Sequence, residues 1–154
     1  MESPSAFTLA ETAFLRGMDW RHLEAMAACS MGVGFPAGER VFRTGEPANR
    51  FYLILRGRVA LEAVAPDGAK VPLQVIEAGD VLGWSWLFPP HRWQFDAVTL
   101  EPVEAIFFYG TRLREFAEED PAFCCAIMKR MAGVLLTRLQ ATRRSLVEHV
   151  HPAH

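Results

Sequence analysis

Residues Phe35–Leu61 read FPAGERVFRTGEPANRFYLILRGRVAL, and the texture of this stretch decides the fold. Short apolar runs at Arg40–Phe42 and Phe51–Leu55, then from Val59 onward, are separated by Thr44-Gly45-Glu46-Pro47 and by Arg56-Gly57. Runs of this length, broken by turn residues, read as antiparallel strands rather than helices. Gly45 and Gly57 fall at the turns, where a positive φ costs glycine little. Phe51, Leu53 and Leu55 alternate with Tyr52 and Ile54, which predicts a strand buried on both faces.

The same texture continues downstream through Val59–Val64, Val71–Ile76, Phe95–Leu100 and Val103–Phe108. Pro66-Asp67-Gly68, Ala78-Gly79-Asp80 and Pro89-Pro90 separate these runs, and Pro66-Asp67-Gly68 predicts a hairpin. Upstream, residues about 8–32 carry a helical pattern in Phe14, Leu15, Met18, Leu23, Met26 and Ala27, with Asp19 as an N-cap. After Gly110 the helical pattern returns. Leu113, Phe116 and Ala117 mark a short helix, and Asp120-Pro121 opens a long one running from about 121 to 149. The strand texture predicts a mainly β fold with flanking helices, an antiparallel sandwich or barrel forming one domain. Its parts are an N-terminal helical segment (1–34), a strand core (35–109), which the resemblance given below makes a jelly-roll ligand-binding core, and a short helix with a long dimerisation helix (110–154).

At 51% hydrophobic and 22% charged residues, the chain of 154 is too apolar and too weakly charged to be disordered. No stretch approaches the ~20 apolar residues needed to span a bilayer, and Met1-Glu2-Ser3-Pro4 does not open a signal peptide. A cytoplasmic location and no membrane association are expected. Cys29, Cys124 and Cys125 lack metal-ligand spacing, so reduced thiols and no metal site are expected. His149, His151 and His154 read as a frayed tail. A metal-dependent jelly-roll enzyme would need two or three His plus a Glu on facing strands. The strand region holds only His91, and neither a Ser/His/Asp nor a Cys/His set is present. No catalytic residues are expected.

Lys129, Arg130, Arg138, Arg143 and Arg144 outnumber the single acid, Glu148, beyond residue 120, and they read as a solvated face rather than a nucleic-acid surface. Cys125, Met128, Ala132, Leu135, Leu139, Thr142 and Leu146 recur at spacings of three and four. Near residue 140 the helix should outrun a domain of ~25–30 Å, since each residue rises ~1.5 Å. A second copy is the simplest partner for that seam. A parallel homodimer through Met128, Ala132, Leu135, Leu139, Thr142 and Leu146 is therefore expected.

Gly38-Glu39, Gly45-Glu46-Pro47-Ala48, Phe51-Tyr52-Leu53-Ile54 and Gly57 together resemble the cyclic nucleotide-binding domain family, the sensor half of catabolite-activator-type regulators. Leu23–Ala27 and the run Ile76–Gly83 also fit, so the resemblance covers residues 12–148. It implies a β jelly roll with helices at both ends and a phosphate-binding cassette after Gly79-Asp80. In the family that cassette has Gly then Glu, a short helix, and an Arg some ten residues on beside small residues. The Glu accepts from the ribose 2′-hydroxyl and the Arg pairs with the cyclic phosphate. In this chain residues 83–96 read GWSWLFPPHRWQFD. Gly83 matches, Trp84 stands at the Glu position, and Arg92 falls near the Arg but is followed by Trp93.

The expected ligand-binding residues are thus Gly83, Trp84, Ser85, Trp86, Arg92 and Trp93. Losing the carboxylate removes a charge-assisted bond worth ~1.5–3 kcal/mol, about ten- to a hundredfold in affinity. Two functions remain open. One is a stand-alone regulatory module that binds a cyclic nucleotide, or another small anionic or aromatic ligand, and signals through its last helix. The other is a ligand-free structural or protein-interaction module whose pocket is filled by indoles, with Asp96 paired to Arg92. Only about eight residues follow Leu146, so a helix-turn-helix and direct DNA binding are not expected.

Overall fold

The turn signals become the corners of two facing antiparallel sheets. A computed structural model describes residues 3–150. Helices α1 (Ala6–Ala10) and α2 (Trp20–Ala28) come first, with Asp19 capping α2 by accepting from the Arg21 N–H. The strands are β1 (Ser30–Phe35), β2 (Arg40–Phe42), β3 (Arg50–Arg56), β4 (Val59–Val64), β5 (Lys70–Ile76), β6 (Val81–Leu82), β7 (Asp96–Thr99) and β8 (Val103–Tyr109). Helices α3 (Gly110–Glu119) and α4 (Pro121–Val150) follow. One sheet runs β1-β8-β3-β6 and the other β2-β7-β4-β5, a jelly roll with flanking helices.

Residues 30–34 differ from the expected helical segment and form the start of β1. Pairing of β1 with β8, from Ser30 opposite Phe108 to Phe35 opposite Val103, overrides any helical pattern there. Phe14, Leu15 and Met18 also lie in the non-helical connection between α1 and α2, although Leu15 and Met18 are buried.

Two cores share β3. Tyr52 and Ile54 face the second sheet and meet Phe42, Leu61, Phe95 and Ala105. Phe51 and Leu53 face the helices and meet Leu23, Met26, Phe123 and Ile127. This is the two-sided burial that the alternation predicts, except at Leu55. Leu55 is exposed because it sits where the register with β8 shifts, between Ile54 and Arg56. Gly57, at φ +96°, closes the next corner, and a Cβ there would press into the Pro102 carbonyl.

Asp120 caps α4, its Oδ1 accepting from the N–H groups of Ala122 (3.0 Å) and Phe123 (3.2 Å), with Pro121 at the first helical position. Phe123, Ile127 and Met131 are buried against the helix-side core. The Arg130 guanidinium fastens the helix by donating to the carbonyls of Phe14 and Arg16, both at 3.0 Å. With 30 residues, α4 is ~45 Å long, and its last two turns run clear of the sandwich. No helix among the described residues is long and apolar enough to cross a membrane. His151 and His154 lie outside the described residues.

Candidate functional site

The chain leaves β6 through Gly83, whose φ of +100° turns it into a short 3-10 helix, Ser85–Leu87. This glycine also makes room. A Cβ there would lie 2.9 Å from the Trp93 ring. Trp93 is 1% exposed and stacks on Phe42, with ring centroids 3.8 Å apart and planes 8° apart. The Arg50 guanidinium sits 5.6 Å from its ring centroid, within cation–π range. Backbone bonds in both directions tie Trp93 to the turn before β3: its N–H donates to Glu46 (3.0 Å) and its carbonyl accepts from Gly45 (2.8 Å).

Trp86, also 1% exposed, enters the other core and stacks on Phe51 at 5.0 Å. Its carbonyl accepts from Arg114 of α3. Neither buried indole N–H finds an acceptor among the described residues, a cost of ~1–3 kcal/mol each that the surrounding aromatic packing must outweigh. Ser85 is buried beside Trp86.

Trp84 behaves differently. It is half-buried, edge-on to Phe95 at 4.9 Å, and forms one wall of a cleft of about 280 Å³. Leu61, Leu73 and Phe95 continue the apolar lining on the sandwich side, while Leu135, Leu139, Arg138 and Thr142 supply the α4 side. Gln74 on β5 bridges the two sides. Its Nε2 donates to the Arg138 carbonyl and to Thr142 Oγ1, and its Oε1 accepts from Arg138 Nη1 at 3.1 Å.

The six cassette positions therefore separate. Gly83 shapes the turn, Trp84 borders the cleft, and Ser85, Trp86 and Trp93 are buried packing residues. Arg92 is exposed and does not line the cleft: its Nη1 donates to the Gly45 carbonyl at 2.9 Å. The cation at the cleft is Arg138, a residue that from sequence reads only as part of a basic helix face. Its one sequence signal was position, because Arg138 and Thr142 lie one turn apart on the shoulder of the Leu135–Leu139 seam.

Asp96 does not pair with Arg92. Its Oδ2 accepts from Arg40 Nη1 (2.7 Å) and Lys70 Nζ (2.8 Å), and its Oδ1 from the Thr44 N–H (2.7 Å) and hydroxyl (2.8 Å). Burial alone would raise this carboxyl, but the hydrogen bonds from Lys70 and Thr44 outweigh it and hold the group at about 2. The physical reason for the difference is register. Asp96 lies on β7 opposite Glu62 of β4, with β2 on its other side and β5 beyond β4, and Arg40 and Lys70 from those two strands reach it.

With that geometry in view, the family model described as the cyclic nucleotide-binding domain matches residues 33–120. The chain belongs to that family. A CRP-like cAMP-activated global transcriptional regulator of Mycobacterium tuberculosis is 29% identical over 140 residues, covering 91% of this chain and 61% of the relative. An anaerobic regulatory protein of Bacillus subtilis is 27% identical over 110 residues, covering 71% of this chain and 46% of the relative. This chain thus spans about half to three fifths of the length of these two relatives. Among solved structures, a putative cyclic nucleotide-binding protein of Geobacter metallireducens aligns with a TM-score of 0.80 at 27% identity, covering 90% of this chain and 99% of that one.

As a member of the cyclic nucleotide-binding domain family, the chain has the jelly roll. At position 84, where the resemblance implies a carboxylate, it carries the Trp84 indole. No group of three or more potential metal ligands occurs among the described residues.

Proposed function

We propose that this protein is a regulatory sensor module that binds a small ligand between Trp84 and α4 and signals through pairing of two α4 helices. One observation carries the reading. Leu135, Leu139 and Thr142 line the cleft and also belong to the seam Met128, Ala132, Leu135, Leu139, Thr142 and Leu146. A ligand touching them changes the surface offered to a second copy. It shifts assembly only by the difference between its affinities for the two helix positions.

The seam supports a parallel homodimer because it is largely unanswered in the protomer: Leu139 is 65% exposed and Leu146 60%. The name of the M. tuberculosis relative, a cAMP-activated transcriptional regulator, supports a regulatory role rather than catalysis. Ordinary cAMP or cGMP fits the cleft poorly. Trp84 offers no acceptor to a ribose hydroxyl, and Arg92, the expected phosphate partner, lies outside the cleft and donates to the Gly45 carbonyl. A cytoplasmic, non-enzymatic module is the reading these features favour.

A second reading has its own observation. Trp86 and Trp93 fill space inside the sandwich and beneath the helices, which favours a partner-binding module with no ligand. Intrinsic fluorescence separates the two, since Trp84 is the half-buried cassette indole. Below about 100 μM, cAMP and cGMP should leave emission nearly unchanged. A response to some other small molecule, lost in Trp84→Phe, supports the sensor. Silence across a broad metabolite panel supports the partner-binding module.

A further inference from the structure

Among the described residues Arg138 is the single charged one lining the Trp84 cleft, and its charge is only partly answered. The side chain is 14% exposed, held between Gln74 and the Asp80 carboxylate. Nη1 donates to Gln74, but Nη2 makes no hydrogen bond among the described residues and lies 3.9 Å from Asp80 Oδ2. A guanidinium offers five N–H donors in a planar fork that matches a carboxylate two bonds at a time. Here the Nη2 donors are unused on the side toward Asp80, at the edge of a slot that apart from Gln74 and Thr142 is apolar.

The rest of the lining narrows the complement. The Trp84 indole, the Phe95 ring and the side chains of Leu61, Leu73, Leu135 and Leu139 favour a flat apolar body. Gln74 and Thr142 already hydrogen-bond each other, so they add little for a sugar or polyol. A dianion such as a phosphate monoester would bring two charges against one guanidinium, with Asp80 nearby repelling the second. A monoanion replaces the distant Asp80 contact with a close one.

We propose that the ligand of this cleft is an aromatic monocarboxylate, with its ring against Trp84 and its carboxylate on Arg138. This rests on the sensor reading and names its ligand class. Arg138 joins α4 to β5 and to the turn before β6 through Gln74 and Asp80. A carboxylate drawing the guanidinium away would loosen that tie, and so carry occupancy to the helix.

The test uses the whole chain, tryptophan emission and thermal melting. The probes are phenylacetate, its neutral isostere phenylacetamide, benzyl phosphate and cAMP. Phenylacetate should quench emission, raise the melting temperature and bind at least about tenfold tighter than the amide or the phosphate. Arg138→Gln should reduce phenylacetate to the level of the amide, and Arg138→Lys should restore part of the preference. Helix content and melting of each variant without ligand check that α4 stays docked. Trp84→Phe should remove the quench while leaving the melting shift.

Equal binding of phenylacetate and phenylacetamide, or tighter binding of benzyl phosphate or cAMP, overturns the ligand class while the sensor reading stands. A preference for phenylacetate that survives in folded Arg138→Gln overturns the role of Arg138. No change in emission or melting with any probe at about 5 mM, a weak-binding ceiling, overturns the ligand class and weighs against the sensor reading.

Discussion

The two halves of α4 are made from similar residues and meet different fates. In the first half Phe123, Ile127 and Met131 are buried to 1% or less, Asp120 caps the first turn, and Arg130 fastens the helix to the connection between α1 and α2. In the second half Leu139, Leu146 and Val150 are each at least 60% exposed, and the last contacts with the sandwich come from Arg138 and Thr142. Apolar side chains thus hold one end of the helix in the fold and leave the other end as surface. A helix fixed at one end and unanswered at the other can move its free end without unfolding the domain, which is what a signalling element requires.

The largest effect should come from the fixed end. Phe123→Ala removes a fully buried ring that packs on Phe116 at 4.6 Å and on His22 at 5.4 Å. It should lower unfolding stability by about 3–5 kcal/mol, measured by urea denaturation. A loss below about 1 kcal/mol would mean that this half is held no more firmly than the other.

Next comes a charge enclosed as fully as Phe123, the Asp96 carboxylate. Its folded-state value lies below the usual one, at about 2 instead of 3.8. Its contribution is therefore complete above pH 4 and disappears as the pH falls toward 2. At 1.36 kcal/mol per unit, the loss is about 2 kcal/mol. Denaturation midpoints of wild type and Asp96→Asn between pH 5 and 2.5 should converge, and a constant gap across that range would contradict the enclosed-carboxylate account.

The smallest effect on folding should come from the free end. Leu139→Asp should change protomer stability by less than about 0.5 kcal/mol, because its side chain buries little. The same substitution should convert a dimer to a monomer in light scattering at tens of micromolar protein. A wild-type monomer, or a variant that remains dimeric, would break the comparison at its free end. Within the cassette, Arg92→Ala should leave ligand response and melting nearly unchanged, in contrast to Arg138→Gln.

What could be read from the sequence follows the range of the forces involved. Strands β2 and β4 match their expected limits because turn residues on both sides fix them locally. Strand β1 could not be read, since Ser30–Phe35 contains two glycines and becomes a strand through β8, 68 to 78 residues away. Strand β6, at two residues, is too short for any periodicity. The Trp84 departure was visible because it lies at a fixed offset from Gly83. Arg138 was not, because its place at the cleft depends on how a helix 50 residues later crosses β5. The Asp96 partners, Arg40 and Lys70, likewise reach it through sheet order rather than spacing.

Gly83 carries a consequence for how this sequence can change over time. The space its missing Cβ leaves is occupied by the Trp93 ring, which in turn lies flat on Phe42. A larger residue at 83 collides with the indole and must also adopt a φ of +100°, whereas a smaller residue at 93 leaves a hole but no collision. A smaller residue at 93 removes the collision at 83 but not the backbone strain there. A lineage that has installed this indole holds its glycine by steric necessity, whatever ligand the neighbouring cleft comes to accept.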